Sequence, residues 1–241
     1  MNFEIDHSLT TFTSEGTLNQ CENALKAALN GSLSLSARSD DGIVLASLKY
    51  FPKLVEKESI SKVFKVCDSI GMTYSGLQPD FRVIYDKAIL LAEDYKYVYG
   101  RYPYADVFVH NLSRVIQEYT QKGGLRPFGV LLLICGFVEE KINGEVKVVP
   151  MLYQMEPSGS FQEVNVCAIG REYKGGCKYV ENRLESLDDN IANCVGSLRE
   201  HAGYSIDYKD VDIGVFRADT KSFNTYKPGD VKEVFDSIIN K

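Results

Sequence analysis

The chain has 241 residues, 44% of them hydrophobic and 25% charged, with a formal net charge of −6. That is enough apolar content for a packed core in one large domain or two small ones, and the acidic balance leaves no overall footprint for nucleic acid or an anionic membrane. No apolar run approaches the roughly 18 residues of a spanning helix.

The start of the chain, MNFEIDHSLTTF, has neither the basic opening nor the apolar segment of a signal peptide, which predicts an intracellular protein. Six cysteines, at 21, 67, 135, 167, 177 and 194, form no C-x-x-C pair and sit mostly among apolar neighbours. They read as reduced, packed thiols rather than a disulfide frame or zinc site.

In chain order, Thr17-Leu-Asn-Gln20 is a capping box, and Leu18, Cys21, Leu25 and Ala28 recur at helical spacing, so a first helix is expected over 17–30 with Gly31 as its stop. Leu33, Leu35 and Ala37 then alternate with serines, Ser39 to Gly42 makes a turn, and Ile43 to Leu48 completes a hairpin. Val63 to Cys67 and Ile70 to Tyr74 form a second strand pair. Pro79 and Asp80 open a long helix lined by Phe81, Ile84, Ala88, Leu91 and Tyr95. Another helix starts near Pro103, with Phe108, Leu112, Val115 and Tyr119 inward. Strands follow at 128–137, 146–155 and 164–169, then a helix around Cys177, Val180 and Leu184. A further helix is led by Ser186, a strand runs from Val211 to Phe216, and Pro228 opens the last helix. Strand pairs alternating with helix pairs predict an α+β protein of hairpin-built antiparallel sheets covered by helices. With no repeat or linker, one domain over 1–241 is expected.

The common cofactor motifs are absent: no phosphate-binding glycine loop with its lysine, no dinucleotide G-x-G-x-x-G after a strand, no H-E-x-x-H. No cofactor or metal is expected. His7, His110 and His201 lie far apart, and the pairs Asp40-Asp41, Glu139-Glu140 and Asp188-Asp189 suit turns and helix starts. One chemical question remains, in Asn30-Gly-Ser-Leu: if the chain were cut before Ser32, the freed α-amine could act as general base for the Ser32 hydroxyl. Such a site also needs a lysine and a carboxylate to hold it. The bland alternative is that Ser32 is the first residue of a strand.

Several ordered stretches together resemble one family: SLTTFTSEGTLNQCENAL at 8–25, SISKVFKV at 59–66, IGMTYSGLQPDFRVIYDKA at 70–88, EYTQKGGLRPFGVLLLICG at 118–136, YQMEPSGSF at 153–161 and AIG at 168–170. They look like the alpha-type subunits of the 20S proteasome, and most like the alpha-2 type. The resemblance implies a four-layer αββα sandwich of two antiparallel sheets flanked by helices, as in hydrolases that use an N-terminal nucleophile. It implies a non-catalytic subunit of the alpha ring, which gates substrate entry and docks regulatory particles in ubiquitin-dependent and ATP-dependent protein degradation, in cytoplasm and nucleus. Implied partners are alpha-1 and alpha-3 type neighbours, beta-ring subunits, and the tails of regulatory-particle ATPases or other activators; no nucleic acid and no membrane are expected.

Residue by residue, aligning the hairpin on Gly42 puts Ser32 where catalytic beta subunits begin and Leu48 where their catalytic aspartate stands, while Lys62 matches their lysine. The alternative, a self-processing amidohydrolase using Ser32, therefore lacks its carboxylate. In alpha subunits Lys62 matches the lysine that receives the carboxy terminus of an activator's tail, with Gly76 and Leu77 beside it and Gly16 and Glu22 on the rim. Without the resemblance, Lys62 reads as a solvated lysine at a strand start. Lys122, Gly123, Gly124 and Leu125 match the loop that narrows the axial channel; an ordinary helix-to-strand connection is the plain reading. Residues 1–12 match the gate tail, in which only Asp6 keeps the family's gate cluster.

Overall fold

A computed structural model describes residues 11–52, 54–142 and 144–239. Asp6 and most of the expected gate tail lie outside the described residues. The described chain forms two five-stranded antiparallel sheets and six α-helices. Helix α1 (Asn19–Leu29) is followed by β1 (Ser34–Ser39), β2 (Gly42–Leu48), β3 (Val63–Cys67) and β4 (Ile70–Gly76). Then come α2 (Gln78–Tyr99), α3 (Ala105–Gln121), β5 (Val130–Ile142), β6 (Glu145–Met155), β7 (Phe161–Glu163) and β8 (Val166–Ile169). The chain ends with α4 (Tyr173–Glu181), α5 (Leu187–His201), β9 (Val211–Arg217), β10 (Ser222–Thr225) and α6 (Pro228–Ile239).

One sheet has the order β10-β9-β2-β1-β8 and the other β3-β4-β5-β6-β7. Ile43, Leu45, Leu131, Leu133, Phe216 and Phe223 belong to the apolar cluster the two sheets share. The outer face of the second sheet packs Met72, Leu132 and Ile134 on Phe81, Ile84, Phe108 and Leu112 of α2 and α3. That of the first packs Leu35, Val44 and Ile213 on Ile191, Cys194 and Leu198 of α5, with Val180 of α4 and Phe235 of α6. The expected four layers, helix, sheet, sheet, helix, are thus present.

Local chemistry explains most boundaries. Pro79 sits in the first turn of α2, and Gly100 ends it at φ 72°, a left-handed conformation that costs glycine little. The Ser186 side chain accepts the Asp189 N–H at the start of α5. The alternating serines of β1 are not solvent-facing: Ser34 and Ser36 are fully buried, the first bonded to the Ser47 hydroxyl at 2.6 Å and the second to the Cys167 carbonyl at 3.2 Å. All six cysteines are free thiols, and burial pushes the Cys135 and Cys194 thiols upward from the usual range.

Four expectations shift. The capping box does not form, because Thr17 turns its hydroxyl and N–H back to Thr13, and α1 starts at Asn19 without a side-chain cap. The strand expected at 164–169 is shortened to β8 at Val166–Ile169, and β7 and β10 are added short strands at sheet edges. Ser32 stands two residues before β1 rather than opening it. Gly31 ends no helix by a left-handed turn. A Cβ there would lie 2.2 Å from the Gly76 nitrogen, so glycine is needed because two backbones cross.

Candidate functional site

That crossing makes the wall of a cleft of about 390 Å³ at one end of the two sheets. Ser32 and Leu33 line it from the approach to β1, Leu48 from the end of β2, Lys62 from just before β3, Tyr74 and Gly76 from β4, Arg171 from the segment after β8, and His201 and Tyr204 from the end of α5 and the segment after it. The segment before Ser32 is held in place: the Gly31 carbonyl accepts the Arg171 backbone N–H at 3.0 Å, and the Arg171 Nε donates to the Asn30 carbonyl at 2.8 Å. The Ser75 hydroxyl donates to the Ala28 carbonyl at 2.8 Å, tying the end of α1 to β4.

Lys62 is the chemical centre of the cleft. It is only 5% exposed, and its Nζ lies 3.8 Å from the centre of the Tyr74 ring. Its nearest carboxylate is already committed. Asp212 Oδ1 pairs with Lys49 Nζ at 2.7 Å, and Asp212 Oδ2 accepts the Lys62 backbone N–H at 2.6 Å. Lys57 pairs with Asp210. Three lysines thus meet two aspartates, and among the described residues the Lys62 ammonium has no ion pair of its own. Burial lowers its pKa to about 7, against a smaller upward pull from Asp212. Leu48, 4% exposed, lines the same cleft as Lys62 and offers it only an apolar surface. Among the described residues no carboxylate lines the cleft, whereas Arg171 and His201 do.

Of the residues expected around Lys62, Gly76 lines the same cleft. Leu77 is next in the chain but lines an adjacent groove with Ala24, Ala27 and Arg126. Glu22 is exposed on α1, and neither it nor Gly16 lines the cleft within this chain. Lys49, Asp212 and Arg171 went unread in the sequence, where Tyr74 reads only as a strand residue and His201 as remote from the other histidines. The one available signal was a charged residue inside the apolar run Val211-Asp-Ile-Gly-Val-Phe.

The loop Lys122 to Leu125 leaves α3 as a tight turn, with the Leu125 N–H 3.4 Å from the Lys122 carbonyl. Gly123 and Gly124 are exposed, a Cβ added at either would meet nothing within 4 Å, and of the two only Gly124 has a positive φ, 82°. Lys122 pairs with Glu118 at 2.8 Å on the surface. Behind the loop is a rigid anchor. Arg126 donates both Nη groups to Asp80, at 2.6 and 2.8 Å, and the Gly129 N–H donates to Asp80 Oδ2 at 2.9 Å. Burial raises the Asp80 pKa, but these donors outweigh it and hold the carboxyl below its usual range.

A model of the family described as "Proteasome subunit" matches residues 28–213. The chain belongs to the proteasome subunit family. It is 35% identical over 235 residues to the proteasome subunit alpha type-2 of rice (Oryza sativa subsp. indica), covering 96% of each chain. It is 36% identical to proteasome subunit alpha type-2-A of Arabidopsis thaliana and 33% identical to the alpha type-2 subunit of Drosophila melanogaster, each over the same share of both chains. Ser32 is joined through Gly31 and Asn30 to the packed helix α1, and Leu48 lines the same cleft as Lys62.

Proposed function

We propose that this chain is a non-catalytic alpha-ring subunit of the 20S proteasome core particle, of the alpha-2 type, with alpha-1 and alpha-3 type neighbours and the beta ring beneath. The observation that carries this reading is Leu48 beside Lys62: an apolar side chain cannot hold the ammonium that an N-terminal nucleophile requires. The packed α1 helix, fastened at Asn30, Gly31 and Ala28, supports a leader that is kept. Lys62 and Gly76 then serve a second purpose, receiving the terminal carboxylate of an activator's tail, with Leu77, Gly16 and Glu22 contributing at the rim or toward a neighbouring subunit. Lys122 to Leu125 narrow the axial channel, braced by Arg126 on Asp80. The protein works in cytoplasm and nucleus.

The test is isolation of the native particle containing this chain, with intact-mass measurement of each subunit and crosslinking around the ring. The expected result is an unprocessed chain flanked by two different alpha subunits. A mature chain beginning at Ser32, or a lone chain with peptidase activity lost in Ser32→Ala, overturns the reading.

A further inference from the structure

The Lys62 cleft is built as if to receive a negative charge it does not itself supply. Both oxygens of Asp212 are occupied, one by Lys49 Nζ at 2.7 Å and the other by the Lys62 backbone N–H at 2.6 Å. Asp210 is taken by Lys57. The lysine Nζ lies over the π face of Tyr74 from β4, and the other titratable residues lining the cleft among the described residues are Arg171, His201, Tyr50 and Tyr204, none of them a carboxylate. An ammonium nine-tenths removed from water with no counter-charge of its own is poorly solvated.

We propose that the unliganded cleft holds Lys62 largely as a neutral amine above neutral pH, and that a terminal carboxylate entering the cleft binds together with one proton. This rests on the tail-pocket reading above and adds to it a linkage between occupancy and pH. The depressed pKa, about 7, agrees with the geometry. An incoming carboxylate supplies the missing counter-charge, so the bound lysine regains a proton from solvent; the proton goes to Nζ, and no covalent bond changes. The sign follows. Below about pH 6.5 the lysine is already charged and occupancy depends little on pH, while above about 7 each unit costs roughly tenfold in affinity. His201 lines the same cleft, so the lysine must be isolated by substitution.

The experiment uses the assembled particle and a synthetic peptide with a free terminal carboxylate, compared with the same peptide as its amide. Titration calorimetry at pH 8 in phosphate and in Tris reads proton uptake from the difference in apparent heat. The increment lost in Lys62→Met particles isolates this pocket from those of other subunits. The expected result is about one proton taken up in that increment, about tenfold weaker binding at pH 9 than at pH 8, and no such slope in Lys62→Arg, whose charge is permanent. Carboxylate-dependent binding that disappears in Lys62→Met but takes up no proton overturns the linkage and leaves the tail pocket standing. Binding unchanged by Lys62→Met, or indifferent to the amide, overturns the tail pocket and the linkage together.

Discussion

Two buried charges, Asp80 in the first turn of α2 and Lys62 just before β3, have opposite surroundings. Asp80 has both oxygens engaged by Arg126 and one of them also by the Gly129 N–H. Lys62 has an aromatic face and no ion pair among the described residues. A saturated charge fixes a shape, here the exit from α3 into β5 behind the exposed loop. An unsaturated one weakens the resting fold and stays available to a ligand. The difference separates the part of the molecule built to stay still from the part built to be filled.

Breaking the saturated side should have the largest effect. Asp80→Ala strips two hydrogen bonds from Arg126 and leaves the buried Gly129 N–H without its acceptor, a loss of about 3 kcal/mol. Arg126 is 59% exposed and rehydrates, which keeps the figure below that of a fully buried pair. A urea melt of the purified chain or particle reads it. Because the folded carboxyl titrates below its unfolded value, the stability it contributes is complete above the ordinary carboxylate range and is lost as pH falls through the folded pKa. The acid limb of stability should therefore shift in the wild type relative to the variant.

The unsaturated side should respond with the opposite sign. Lys62→Met replaces a poorly solvated ammonium with an apolar side chain of similar length beside Leu48 and Tyr74, and should stabilise the folded chain by about 2 kcal/mol at pH 7. The folded lysine titrates near 7 and the unfolded one near 10.5, so the unfolded chain holds the extra proton between those values. Wild-type stability thus rises with pH across that window, and the advantage of the variant shrinks toward pH 10. Chemical melts at pH 7 and pH 9.5 check both points; a destabilised variant at pH 7 would mean that Lys62 is paired after all.

How far each side was legible follows from the range of its contacts. Period and punctuation revealed the sheet hairpins and nearly every helix, because the alternation at Leu33, Leu35 and Ala37, the proline at 79 and the serine at 186 act within a turn or two of themselves. The Thr17 capping box failed because a local rule met a local competitor, Thr13. Asp80 was readable as a helix-opening acid, but its partner stands 46 residues away. Lys62 and Leu48 drew notice through resemblance. What makes the cleft unusual, the prior commitment of Asp212 to Lys49, joins β9 to the end of β2 and has no sequence spacing to betray it. Pairings between distant strands are fixed by sheet order, which composition and period do not encode.

The smallest expected effect distinguishes the rigid anchor from the loop it carries. Gly123 and Gly124 are equally exposed and equally free of neighbours, so a methyl group meets no steric obstacle at either. They differ in backbone: only Gly124 sits at a left-handed φ, 82°. Gly124→Ala should then cost about 1 kcal/mol or move the loop to a new path, whereas Gly123→Ala should be neutral or slightly stabilising through the unfolded chain. If the loop borders the channel, Gly124→Ala should also alter the rate at which an unfolded protein substrate is degraded by the particle, with Arg126 and Asp80 left intact. Equal behaviour of the two alanine variants in both melt and degradation rate would show that the turn is not held in this conformation and that the anchor behind it does not extend into the loop.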